Sequence, residues 1–237
     1  MKLLQLVCAA TILSTCVTTA MAADARDLAP SGIRAEVGTT GYGGALLWTA
    51  SPYVGLALGY NGGDISWSDE LSIDGTKYDL DMENNNVYLN AEIRPWGASQ
   101  GFGQAFYIAA GVAYLDNDYD VTKRLNNSND TIRIDGKNYY APSGVGGIRG
   151  KVDFKNQFAP YVGLGLSPKF GENFGVFGEI GAYYAGNPNA NVNAVGLLEV
   201  GGTGTGADAA NDLERKLRNE DKFEWLPVAK VGLSFHW

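Results

Sequence analysis

At 237 residues the chain has room for one or two soluble domains, or for a single membrane barrel. Its 26 acidic residues outweigh 18 basic ones, which argues against nucleic acid and anionic headgroups as partners. Thirty-two glycines and 13 tyrosines, beside only 19% charged residues, suit many short strands joined by tight turns.

The N-terminus has the secretory pattern. Lys2 supplies a positive start, 3–17 is an apolar core too short to span as a helix, and Ala20-Met21-Ala22 is a small-x-small cleavage site. The expected division is a cleaved signal peptide over 1–22 and one mature domain over 23–237. Leu13-Ser14-Thr15-Cys16 resembles a lipobox, but threonine before the cysteine fits it poorly. Both cysteines, Cys8 and Cys16, fall in the leader, so a mature chain has no thiol for disulfides, zinc or nucleophilic catalysis. Losing Lys2 leaves 17 basic against 26 acidic residues, a net charge of −9. After residue 23 no run approaches the roughly 18 apolar residues of a transmembrane helix. An exported chain of this kind crosses a membrane only as a closed barrel.

Period-2 alternation then recurs along the chain. The first strand, 32–40, sets Ile33, Ala35 and Val37 against Arg34, Glu36 and Gly38, and 41–44 reads as a tight turn. The second, 44–49, is apolar on both parities, so its faces stay unassigned. The third puts Val54, Leu56, Leu58 and Tyr60 outward and Tyr53, Gly55, Ala57 and Gly59 inward. The fourth alternates Val87, Leu89, Ala91 and Ile93 with Tyr88, Asn90, Glu92 and Arg94, a face that needs water or partners. The fifth spans 106–114 with Tyr107 inward, the sixth 161–166 with Tyr161 inward, and the seventh 176–183 with Phe177, Glu179 and Tyr183 inward. The last, 226–237, places Ala229, Val231, Leu233, Phe235 and Trp237 on one face and Lys230 on the other. The fold expected is all-β: an eight-stranded antiparallel up-and-down transmembrane barrel with long extracellular loops forming β-hairpins. Trp48, Trp96 and Trp237 fall at periplasmic ends and Trp67 and Trp225 near the outer rim, as aromatic girdles require. An alternating strand that ends in Phe235 and Trp237 also looks like the assembly signal of outer-membrane proteins.

The long connections carry local signals. Asp74-Gly75 and Asp135-Gly136 sit between extended flanks and predict two hairpins. Over 208–219 a short helix is expected, with Asp208 able to cap it, Leu213 and Leu217 on one face, and Glu214 paired with Arg218. Asp116-Asn117-Asp118-Tyr119-Asp120 has calcium-loop spacing but lacks the following glycine and the glutamate at the twelfth position, so it reads as a solvated acidic turn. The glycine-rich stretch 201–206 reads as a linker rather than a phosphate cradle.

The only histidine, His236, lies one residue from the terminus, away from any outer-rim active site. No enzyme, metal or cofactor is expected. The sharper feature is the inward parity, which collects Arg34, Glu36, Glu92, Arg94, Glu179 and Lys230 in a lumen narrowed by Tyr88, Tyr107, Tyr161 and Tyr183. An eight-stranded barrel is just wide enough for its side chains to fill, and buried charges there must pair. This set reads either as a salt-bridged plug or as a constriction that binds both ends of a zwitterion. Lys230 is expected to pair with Glu36 or Glu179. Asp64, Asp69, Glu70, Asp74, Asp79, Asp81 and Glu83, against Lys77 alone, make the first long loop net −6, a mouth that would concentrate cationic or zwitterionic solutes.

The strings RAEVGTTGYGGALLW (34–48), PYVGLALGYNGGDISW (52–67), NNNVYLNAEIRPWG (84–97), FGVFGEIGAYYAGNP (174–188) and the Trp-ended tail closely resemble the CarO family of outer-membrane proteins linked to carbapenem susceptibility. The likeness runs from Arg34 to Trp237, and is weaker over 123–150 and 189–215. The resemblance implies an eight-stranded barrel in the bacterial outer membrane, uptake of basic or small amino acids such as ornithine or glycine, and entry of carbapenems. The partners expected are outer-membrane lipid and lipopolysaccharide, the barrel-assembly machinery and small-molecule solutes, with no nucleic acid and a monomeric state. The competing expectation is a non-conducting structural or adhesive barrel whose surface loops do the work.

Overall fold

The computed structural model describes residues 29–99, 101–219 and 224–237, leaving aside the side chains of 67–71 and 155–157. The leader expected over 1–22 lies outside the described residues. The described residues form thirteen strands: β1 (Gly32–Gly38), β2 (Gly41–Ser51), β3 (Val54–Ile73), β4 (Thr76–Ile93), β5 (Phe106–Leu125), β6 (Thr131–Ile134), β7 (Lys137–Tyr140), β8 (Gly146–Leu166), β9 (Lys169–Phe170), β10 (Phe174–Tyr184), β11 (Asn189–Val195), β12 (Leu198–Glu199) and β13 (Trp225–His236). One helix, α1 (Gly206–Asn219), and a 3-10 turn at Phe102–Ala105 complete the described residues.

Eight of these strands close a ring in the order β1-β2-β3-β4-β5-β8-β10-β13, with β13 returning to β1. Every contact in the ring is antiparallel. Closure removes every strand edge, the condition for a sheet in hydrocarbon. No described helix is long and apolar enough to cross a membrane, so crossing falls to the strands. The outward parity carries Ile33, Val37, Leu46, Leu56, Leu58, Val87, Leu89, Val162, Leu164, Ile180, Val231 and Leu233, all exposed. That belt of large apolar side chains is unstable in water and at home in lipid. Trp96, Phe174, Phe235 and Trp237 edge the belt at the end holding the chain terminus, while Tyr42, Tyr60, Tyr114, Phe158, Tyr184 and Trp225 edge the other. Trp67 lies farther out, opposite Leu80 in the register.

Four strands are far longer than a membrane needs. At about 9–11 residues per crossing, β3, β4, β5 and β8 rise well above the lipid. The polarity of their faces inverts at the boundary. In β4, the outward parity changes from Ile93, Ala91, Leu89 and Val87 to Glu83, Asp81, Asp79 and Lys77, while the inward parity changes from Glu92, Asn90 and Tyr88 to Met82, Leu80 and Tyr78. In β5, Ile108, Val112 and Tyr114 give way outward to Asp116, Asp118 and Asp120, with Leu115 and Val121 turned in. Lipid asks for apolar groups outside, and water asks for them inside.

The turned-in apolar residues make a second core above the membrane. Ile73, Tyr78, Ile132, Ile134, Tyr139, Ile148 and Val152 pack with Leu213 and Leu217 of α1. A small sheet of β12-β7-β6 and the addition of β11 to the upper half of β8 complete this cap. Both Asp-Gly hairpins form as expected, with φ +53° and +81° at Asp74-Gly75 and +49° and +80° at Asp135-Gly136. Positive φ at both central positions is the two-residue turn that matches strand twist.

Several details differ from expectation. The first turn is Thr39-Thr40, and 41–44 belongs to β2, because Gly38 pairs with Gly41. Within β2 the faces resolve as Ala45 and Leu47 inward and Tyr42 and Leu46 outward. Tyr53 lies in the turn before β3 and is exposed, not inward. The segment 116–120 is strand rather than turn, since Asp116, Asp118 and Asp120 continue the wetted outer face of β5. Helix α1 starts before Asp208. Its first intrahelical bond runs from Ala209 N–H to Thr205 C=O (3.1 Å), so Thr205 is the capping residue. The Asp208 carboxylate reaches back to accept from the Thr205 N–H (2.7 Å) and hydroxyl (2.8 Å), the return half of a capping box. These two bonds hold the Asp208 carboxyl below its usual range.

Candidate functional site

The inward side chains of the membrane-crossing half stack as layers along the barrel axis. The first layer, at the periplasmic end, joins β1 to β4. Arg34 donates to Glu92 (2.7 Å) and Arg94 donates to the other oxygen of the same carboxylate (2.6 Å). The Arg34 guanidinium lies over the Phe177 ring (4.1 Å) and that of Arg94 over Tyr107 (5.0 Å). Two cations share one anion here, so the layer carries net +1.

The second layer, just above, joins β1, β10 and β13. The Lys230 ammonium lies 3.2 Å from Glu179 and 3.8 Å from Glu36, with side chains about 1% exposed. Register explains the meeting: Glu179 is opposite Lys230 between β10 and β13, and Lys230 is opposite Gly38, two residues from Glu36. Tyr88 donates to Glu36 (2.6 Å), and Tyr107 and Tyr161 donate to the two oxygens of Glu179 (2.8 and 2.7 Å). Lys230 also faces the Tyr88 ring (4.2 Å). One cation shares two anions, so this layer carries net −1 and the two layers together are neutral. Charge-assisted bonds of this kind are the strong ones in a dry interior.

Tyrosines close the remaining space because glycines face them. A Cβ added at Gly59 would strike the Tyr88 ring, and one at Gly165 would strike Tyr107. Each ring lies flat across the neighbouring strand and aims its hydroxyl at a carboxylate. Arg34, Glu36, Glu92, Glu179 and Lys230 are all buried, with Tyr88, Tyr107 and Tyr183 more so. Among the described residues the lumen is therefore filled at the second layer, while the first borders a cavity of about 450 Å³ lined by Arg34, Glu92, Arg94 and His236.

Above them the chemistry changes. Asn61, Asn84, Asn86 and Asn117 form a buried belt without charge, joined by Tyr183, whose ring packs on Tyr161 at 4.7 Å. Sequence alternation placed Asn90 inward but did not reach Asn86, just before the strand read from Val87, or Asn84 and Asn117, which sit where polar loops were expected. The inverted alternation of 77–86 is the signal that finds Asn84 and Asn86, and the same inversion over 115–121 finds Asn117.

The acidic segment does not ring a mouth. Asp64, Asp79, Asp81 and Glu83 lie on the outward parity of the emergent hairpin, with Asp64 opposite Glu83, Glu83 opposite Asp118 and Asp81 opposite Asp120. They face away from the axis because the strand parity that met lipid below meets water here. Asp74 sits at the hairpin tip in an ion pair with Lys216 of α1. The Asp69 and Glu70 side chains lie outside the described residues. A second charge network, which sequence reasoning missed, ties the cap together. Arg215 bridges Asp135 (3.1 Å) and Asp212 (2.7 Å), Lys137 reaches Asp212 (2.9 Å), and the Asp135 N–H donates to Asp74 (2.8 Å). The hydrogen bond from Lys137, with help from Arg215, holds the Asp212 carboxyl below its usual range. No cluster of metal-ligating side chains occurs among the described residues.

A closed ring of eight antiparallel strands, an apolar belt between aromatic rims and a charge-paired lumen define an outer-membrane β-barrel of the small, filled kind. No protein-family model and no curated protein matches the chain. Among solved structures, Acinetobacter baumannii CarO is 55% identical with a TM-score of 0.79, over 89% of this chain and 99% of that one. Acinetobacter baumannii CarO2 is 56% identical with a TM-score of 0.80, over 88% and 98%. The chain belongs to the CarO family, and its place is the bacterial outer membrane.

Proposed function

We propose that this barrel is closed at rest and that its two charged layers form the gate for passive entry of small zwitterionic or basic solutes, ornithine- or glycine-like, with carbapenems as further passengers. The observation that carries this reading is the stacking of opposite net charges: −1 at Glu36, Lys230 and Glu179 above +1 at Arg34, Glu92 and Arg94. A zwitterion entering from outside with its ammonium toward Glu36 and Glu179 and its carboxylate toward Arg34 and Arg94 exchanges one set of ion pairs for another. That exchange offsets the cost of opening buried pairs, about 3–5 kcal/mol when one partner is simply removed. An anion lacks the group that the −1 layer requires. Phe235 and Trp237, which edge the belt at the β13 end, are proposed to act as the assembly signal read by the barrel-assembly machinery.

The second reading is a non-conducting barrel whose exposed cap is the working surface. It is favoured by the ion pairs that fasten α1 across both hairpin tips. Swelling of liposomes that hold the protein, with glycine, ornithine and a dicarboxylate as solutes, separates the two. The gate reading expects glycine to enter faster than the dicarboxylate, with Glu179→Gln altering that preference. If the unmodified protein passes neither amino acid, while Glu92→Ala with Glu179→Ala leaks all three solutes, the lumen is only a plug.

A further inference from the structure

A cavity of about 520 Å³ lies between the neutral asparagine belt and the cap, on the extracellular side of the charged layers. Its size is that of a small-molecule site. Leu80, Met82, Val121, Phe154, Leu217 and Leu226 give its wall an apolar character, and no Asp, Glu, Lys, Arg or His is among its lining residues. That absence is notable in a barrel whose next layer down holds three charges.

The floor is polar but neutral. Tyr183 lines the cavity, is 1% exposed, and its hydroxyl has no hydrogen-bond partner among the described residues. Tyr119, also in the lining, donates to the Asn84 side-chain oxygen (3.4 Å). Asn117 donates to the same Tyr119 hydroxyl (3.3 Å). Burial pushes the Tyr119 phenol up to about 12, so it stays uncharged at any physiological pH. An orphaned donor at the bottom of an apolar chamber asks for an acceptor, and a buried polar group without one is costly. A charged head placed there finds no counter-ion in the lining, whereas a neutral amide or hydroxyl finds the Tyr183 donor it needs.

We propose that this cavity binds a small uncharged molecule with an apolar body and one neutral hydrogen-bonding head, held between the cap and Tyr183. The site is separate from the charged gate and selects against the zwitterions proposed to pass there.

Trp225 also lines the cavity and serves as reporter. The experiment titrates the full mature protein in lipid nanodiscs with 4-bromobenzamide, whose bromine quenches nearby indole fluorescence. Saturable quenching is expected, and it should disappear in Trp225→Phe. Filling the cavity with Val121→Phe or, separately, Leu80→Phe should weaken binding at least about tenfold, with folding verified by heat-modifiable gel mobility. Tyr183→Phe should weaken it roughly three- to tenfold. The charged congeners 4-bromobenzoate and 4-bromobenzylammonium should bind at least about tenfold more weakly. The proposal is overturned by quenching that rises linearly without saturation, by equal quenching from the charged congeners, or by unchanged affinity in both folded cavity-filling variants.

Discussion

The net −1 of the Glu36, Lys230 and Glu179 layer makes its three members unequal. Lys230→Met removes the one cation and takes the layer to −2, leaving two buried carboxylates with only tyrosine hydroxyls for partners. Stripping one partner from a buried pair costs about 3–5 kcal/mol. Glu179→Gln does the reverse: the layer becomes neutral, Lys230 keeps Glu36, and the amide oxygen still accepts from a tyrosine. Its cost is that of weakening charge-assisted bonds to neutral ones, about 1 kcal/mol. Two substitutions on opposite ends of one 3.2 Å contact should therefore differ in cost several-fold. Urea unfolding of both variants in short-chain phosphatidylcholine vesicles, followed by tryptophan fluorescence and by heat-modifiable gel mobility, measures the difference. Equal destabilisation by the two, or a larger loss for Glu179→Gln, would show that pairwise contact rather than layer charge governs the lumen.

Other outcomes can be checked alongside. Gly75→Ala and Gly136→Ala should each cost about 1 kcal/mol through positive φ alone, since an added Cβ meets nothing within 4 Å at either position; the loss should appear as faster amide exchange in the hairpin tips. Gly165→Ala should push the Tyr107 ring off its seat and break its bond to Glu179, raising leak in the swelling assay. The cap should loosen in acid: the Asp208 and Asp212 carboxyls are held low when folded, so their contribution is present above the ordinary carboxylate value near 4 and fades as pH falls through the lower folded values. Lys137 is held high by Asp212, so its contribution is complete below its ordinary value of 10.5 and fades only above that. Methyl NMR should show Ile132 and Ile134 in the cap losing dispersion at pH 3 while Ile108 and Ile180 in the barrel do not. High salt should mimic acid in the cap, where Arg215 is 59% exposed, and leave the lumen unchanged.

Alternation was legible where a lipid face stood against a polar one, and failed in 44–49, where both parities are apolar. The parity of 87–94 separated Val87 and Leu89 from Tyr88 and Glu92 without help from the structure, because lipid and lumen differ so much in polarity. Lys230 and the six-charge set followed from that parity alone. Both Asp-Gly turns and the Leu213–Leu217 face were legible because they depend on local backbone and helix geometry. The cap was not, for a physical reason: above the membrane the same strand keeps its period but exchanges which parity is apolar. Reading 77–86 for polarity alone finds lysine, aspartate and asparagine and returns a loop. Reading it for period finds Tyr78, Leu80 and Met82 on one side and Asp79, Asp81 and Glu83 on the other. Which ions pair across the cap was beyond reach, since Asp74, Asp135 and Lys216 meet only through tertiary packing.

The inversion also explains why the interior is tiered. In the lipid zone the outward positions are claimed by Leu, Val and Ile, so the polar residues of those strands are forced inward, into a barrel just wide enough for its side chains. There the charges satisfy one another, as Arg34 with Glu92 and Lys230 with Glu179 do. Above the lipid the outward positions take the charges, and the inward ones are released to apolar packing under the cap. The asparagines at 84 and 86 fall at the crossover, where neither demand prevails, and their neutral amides separate a charged layer from an apolar chamber. A solute travelling this axis meets an apolar space first and a charged one second. No single chemistry suits both, so a ligand that fits one space does not fit the other.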